Sequence, residues 1–123
     1  MKTKLISFIS LSVLLLTSCY YDNAEDLYGQ LAPCDTANVK YSVQVANILS
    51  QNCYRCHAGN AIDGAGVKLE EFAVVQSNAK NGTLLGVLKH TPGYVQMPKN
   101  AAMLSKCDIA VIETWIRKGA LQN

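Results

Sequence analysis

The pentapeptide Cys53-Tyr54-Arg55-Cys56-His57 constrains this chain more than any other feature of its sequence. Cysteines at i and i+3 share one face if the segment is a helical turn, and the residue that follows projects its imidazole beside them. Two thiols and an imidazole so placed can reach a common object. What that object is depends on the chemistry the rest of the chain allows.

The flanking sequence indicates how. Tyr41 to Asn52 puts Val45, Ile48, Leu49 and Asn52 on one face at helical spacing and runs straight into the motif. His57 to Lys68 carries Gly59, Gly64 and Gly66 and reads as a loop. Leu69 to Ser77 is expected to form a short helix with Phe72 and Val75 or Gln76 on one side, closed by Asn81-Gly82. Thr83 can cap a further helix through Leu84, Leu85 and Leu88, which must stop before Pro92 because proline disfavours a helical residue ahead of it. An irregular stretch, GYVQMPKN, follows. The last element is the plainest. Ser105 and Asp108 have the S-x-x-D spacing of a capping box, Ile109, Ile112, Trp115 and Ile116 follow at three- and four-residue steps, and Gly119 stands where a C-terminal cap belongs. No strand-type alternation, repeat or low-complexity segment interrupts this pattern, so the fold class is expected to be all-α.

The first residues predict a destination outside the cytoplasm. Lys2 and Lys4 precede an apolar run from Leu5 to Leu16, too short to span a bilayer stably but suited to a secretory signal. The run ends in Leu16-Thr17-Ser18-Cys19, which resembles the lipobox of bacterial lipoproteins. The resemblance implies cleavage after residue 18 and acylation of Cys19, and several acyl chains hold a protein to a membrane durably. We therefore expect a signal peptide over 1–18, a lipidated tether over 19–33 and one domain over 34–123, extracytoplasmic and lipid-anchored to a bacterial membrane, on its periplasmic side or at the outer membrane. Lys2 and Lys4 leave with the signal, so the formal charge of +2 disappears with them. No basic stripe with interleaved aromatics remains, and no nucleic-acid partner is expected.

Four chemistries use a C-x-x-C-H set. A zinc site would need a fourth ligand from Cys34, Cys107 or His90. A thioredoxin-like redox pair calls for a βαβ context that this chain lacks. A disulfide between Cys53 and Cys56 would strain a short loop and leave His57 without a role. Covalent haem attachment uses all three side chains: both sulfurs reach vinyl groups of one porphyrin while His57 faces the iron. Cysteine parity agrees with it, for if Cys19 carries lipid and Cys53 and Cys56 carry thioethers, Cys34 and Cys107 remain. In an oxidising compartment they are expected to pair, closing a loop of about 70 residues worth about 4 kcal/mol in the chain-entropy model; the alternative is two buried free thiols.

Three side chains compete for the far side of such an iron: Met97, Met103 and His90. Met97 precedes Pro98 in an irregular segment, so its backbone is not committed to a helix. Met103 is expected to fill core. His90, at a helix end before Thr91-Pro92, is expected to face solvent or to cap carbonyls.

With these residues in view, the chain resembles a class I cytochrome c. The resemblance rests on CYRCH after a helix, MP some forty residues later, and the C-terminal stretch IETWIRKGA, and it covers Cys34 to Asn123. It implies a small fold of three to five helices around one covalent haem c, with the N- and C-terminal helices packed together. It further implies Cys53 and Cys56 as thioether links, His57 as proximal and Met97 as distal iron ligand. Many members of that family carry a proline soon after the motif, whose carbonyl orients the imidazole. AGNAIDGAGVKL has none, so some other backbone carbonyl of this loop is expected to hold His57.

A His/Met-ligated haem leaves no vacant iron site, and electron transfer is what remains. The expected function is a membrane-anchored electron carrier, not an enzyme, with redox proteins as partners and no small-molecule substrate. The alternatives are a gas- or peroxide-binding domain with a labile distal site, and a haem subunit of a larger membrane redox complex. Lys89, Lys99 and Lys106 flank the Met97 segment, either as a weak basic rim for an acidic partner or as ordinary solvated lysines.

Overall fold

The computed structural model describes residues 34–123; the expected signal peptide 1–18, lipidation of Cys19 and tether 19–33 lie outside the described residues. Cys34–Asn123 forms one unit, and no strand occurs among the described residues. Its elements are a π-helical turn Tyr41–Val45, then α1 (Ala46–Asn52), α2 (Tyr54–His57), α3 (Phe72–Lys80), α4 (Thr83–Leu88) and α5 (Lys106–Arg117). The domain is all-α. No helix among the described residues is long and apolar enough to cross a membrane.

The expected first helix, Tyr41 to Asn52, is in two parts. Its opening turn is wide, with the Val45 amide donating to Lys40 at 3.4 Å, and regular α geometry begins only at Ala46. The wide turn leaves both Tyr41 and Val45 buried. Tyr41 meets Phe72 at a ring-centroid distance of 4.7 Å and Trp115 at 5.4 Å. Ile48 and Leu49 are buried as their spacing predicts, but Asn52 is exposed and its amide donates back to the Ile48 carbonyl at 2.8 Å.

The third helix starts later than its apolar pattern predicts, at Phe72 instead of Leu69. The Glu71 amide closes a separate turn on the Lys68 carbonyl at 3.3 Å, and the first helical bonds are those of the Val74 and Val75 amides to the Glu71 carbonyl at 3.0 and 3.2 Å, while the Leu69 amide donates to the His57 carbonyl at 2.8 Å. Val75 and Ala79 are buried, while Gln76 reaches across to the Ala120 carbonyl at 2.8 Å. Thr83 opens α4 without capping it. Asn81 does that work, its side-chain oxygen accepting from the Thr83 amide at 2.9 Å, because Gly82 at φ 83° turns the chain back over it.

In α5 the local code holds. Ser105 Oγ accepts from the Asp108 amide at 3.0 Å and donates to its carboxylate at 2.8 Å. Ile109, Ile112 and Trp115 are buried; full burial of such side chains stabilises by about 1.5–3 kcal/mol each. The Trp115 indole N–H is satisfied by the Leu121 carbonyl at 2.8 Å, so its burial leaves no orphan donor. Gly119, at φ 101°, ends the helix. Met103 does not fill core: it is 45 % exposed, and its neighbour Leu104 takes the buried position in this extended approach to α5.

The N-terminal arm runs alongside α5. The sulfurs of Cys34 and Cys107 meet at disulfide distance with Cα atoms 5.4 Å apart, at the first turn of the helix. Further along, Lys118 Nζ donates to the Ala37 carbonyl at 2.7 Å, and Tyr41 and Ser42 donate to Asn123 at 2.8 and 2.9 Å. The π turn thereby packs on α5, α4 packs on both α3 and α5, and the free side of α4 is left to face the motif.

Candidate functional site

Helix α1 delivers the motif directly. The Cys53 amide still bonds to Leu49 at 2.8 Å, and the Cys56 and His57 amides both turn back to the Cys53 carbonyl at 3.1 and 3.0 Å. This tight turn is what puts both sulfurs and the imidazole on one side. They line a cavity of about 700 Å³, whose apolar wall comes from Val67 and Leu69 of the loop and Leu84, Val87 and Leu88 of α4. That volume lies within the roughly 300–1,000 Å³ of small-molecule and cofactor sites. Met97 and Lys99 line the same cavity; His90 and Met103 do not.

The imidazole is oriented by the backbone. His57 Nδ1 lies 3.0 Å from the Val67 carbonyl oxygen. A carbonyl only accepts, so Nδ1 carries a proton, and in the neutral imidazole Nε2 is then the nitrogen with the free lone pair. The carbonyl expected somewhere in AGNAIDGAGVKL is therefore that of Val67. Gly64 makes the arrangement possible, since a Cβ there would stand 2.5 Å from the Cys56 carbonyl oxygen and from His57 Nδ1. The glycine count marked a loop, but no pattern in the sequence singled out Gly64 or Val67.

Both motif thiols are free, Cys53 half-buried and Cys56 exposed. Burial pushes the Cys53 thiol up to about 11, which keeps it protonated at neutral pH. Thioredoxin-like chemistry calls for a βαβ context, and no strand occurs among the described residues. The zinc reading also loses its support. Among the described residues no three His, Cys, Asp or Glu side chains gather as a metal-holding group, and Cys34 and Cys107, two of its candidate fourth ligands, stand beside each other instead.

The Met97 segment is fastened to α4 at several points. The Met97 amide donates to the Val87 carbonyl at 3.1 Å. The Tyr94 ring lies against Gly86, where a Cβ would come within 2.7 Å of it. His90 Nε2 stands 3.0 Å from the Met97 carbonyl oxygen, so of the roles foreseen for His90 the carbonyl contact is the one it adopts, on a carbonyl outside its own helix.

Of the three lysines, Lys89 is paired with Glu113 at 2.9 Å and is not a free member of a basic rim. Lys99 is exposed at the cavity and Lys106 begins α5. No known protein family, no curated relative and no solved structure matches the chain.

Proposed function

We propose that this chain is a monohaem c-type cytochrome of the class I fold, an electron carrier tethered by an N-terminal lipid outside the cytoplasm. The observation that supports this best is that one cavity of about 700 Å³ collects both motif thiols, His57 and Met97. The donor set suits haem c. Cys53 and Cys56 would supply two sulfurs for thioethers, His57, with its Nδ1–H directed at the Val67 carbonyl, would offer Nε2, and Met97 would supply a neutral sulfur. When bound, the haem supplies a one-electron ferric/ferrous couple, whose potential a His/Met pair raises relative to two nitrogen ligands.

The chain's own part is to hold and orient. Leu69, Leu84 and Leu88, all at least nine-tenths buried, present an apolar wall against which the porphyrin would pack. Gly64 and Val67 prevent the imidazole from turning. The Tyr54 phenol, pushed up by burial, then by Glu70 and Cys53, stays neutral beside the motif. Redox proteins are the proposed partners, reached across the membrane surface to which acylated Cys19 would confine the domain.

Intact-mass spectrometry and optical spectroscopy of full-length protein made with a haem-attachment system test this reading. The expected product carries one haem and acyl chains. Its ferric form shows the long-wavelength charge-transfer band of methionine-bound iron, which Met97→Ala abolishes. A product without haem would refute the proposal, and a high-spin spectrum of the unaltered protein would favour a gas- or peroxide-binding site instead.

A further inference from the structure

Helices α4 and α5 end in the same way but with different residues at the turning point. In α5, the Ala120 amide bonds to the Trp115 carbonyl at 3.0 Å and the Gly119 amide to Ile116 at 2.9 Å, with Gly119 at φ 101°. In α4, the Thr91 amide bonds to Gly86 at 3.0 Å and the His90 amide to Val87 at 3.4 Å, with His90 at φ 52°. Both are Schellman caps, whose left-handed residue is ordinarily glycine because a Cβ is disfavoured there. Position 119 follows the rule. Position 90 carries a histidine, one of several non-glycine residues at positive φ among the described residues.

What the side chain contributes is visible in its contact. We infer that His90 is a positioning residue for Met97. Its Nε2–H donates to the Met97 carbonyl at 3.0 Å, while the Met97 amide donates to the Val87 carbonyl at 3.1 Å. Both polar groups of the Met97 backbone are thus attached to α4 or its cap. Neither peptide plane flanking the Met97 Cα can swing without breaking one of these bonds, so the direction in which its side chain leaves the backbone is set. The left-handed turn at His90 is what brings the imidazole to the Met97 carbonyl, because a residue continuing α4 would send its side chain elsewhere. His90 acts from outside the cavity, which Met97 lines and it does not.

This inference rests on the reading of Met97 as an iron ligand, and two variants of the full-length protein separate the two. His90→Gly removes the ring while giving the cap its preferred residue, so the fold is retained. His90→Gln keeps an N–H donor of similar reach. The readouts are hydrogen exchange at the Met97 amide and titration of the methionine band with added imidazole. In His90→Gly we expect faster exchange at Met97, unchanged exchange at Ala120, and about 5-fold lower imidazole at half-bleaching, the effect of one lost hydrogen bond. His90→Gln recovers most of both. If His90→Gly matches the unaltered protein in both readouts, the positioning role is wrong and the ligand reading stands. If the unaltered protein has no methionine band, both fall together.

Discussion

Val67 holds His57 by its carbonyl oxygen, 3.0 Å from Nδ1 and ten residues further along the chain. The contact makes the loop between them part of the site. Whatever shapes that loop decides which way the imidazole faces and which nitrogen is left to bind.

Gly64 is the most sensitive point of that loop. A methyl group there would overlap the Cys56 carbonyl and the His57 ring, so Gly64→Ala is expected to lower stability by about 1–3 kcal/mol. It should also speed solvent exchange of the His57 Nδ1 proton, followed by proton NMR. Gly66→Ala, where no atom lies within 4 Å of the added carbon, should leave that proton unchanged despite its backbone penalty.

In the haem-free protein, the Cys53 thiol should make stability fall in alkali. Its pKa rises from 9.0 in the unfolded chain to about 11 in the folded one because burial disfavours the thiolate. The group's contribution is complete below pH 9 and is lost as pH rises through 11, since the unfolded chain ionises first. Urea unfolding of haem-free protein between pH 8 and 12 should show this decline, and Cys53→Ser should flatten it. Iodoacetamide should modify exposed Cys56 well before Cys53.

A bond between Cys34 and Cys107, 73 positions apart, clips the N-terminal arm to the first turn of α5. Chain entropy predicts that Cys34→Ser with Cys107→Ser lowers stability by about 4 kcal/mol. Thermal unfolding with and without reductant measures it. Equal melting of the two forms would mean that the contacts of Lys118 with Ala37 and of Asn123 with Tyr41 hold the arm unaided.

The helical class, the face of α5, its Ser105 cap and its Gly119 stop were legible because each depends on residues within one turn of one another. The pairing of Cys34 with Cys107 was legible for a different reason: counting cysteines needs no geometry. Legibility failed wherever a backbone group chose a distant partner. Leu69 was expected in a helix, yet it lies in a turn tied to the His57 carbonyl, and the helical bonds begin on the Glu71 carbonyl. Thr83 was expected to cap α4, yet Asn81 does so across a left-handed Gly82. Met103 was expected inside, yet Leu104 holds that place.

By itself, then, the sequence singled out side chains that line one cavity: two thiols and an imidazole on one turn, and a methionine in a segment free of helix. Only the tertiary structure decided how they are held, through the Val67 carbonyl on His57, the space kept by Gly64 and the His90 imidazole on Met97. Every residue but proline offers the same amide and carbonyl. Which of them meets a given ring is therefore written in the path of the chain, not in the identity of its side chains.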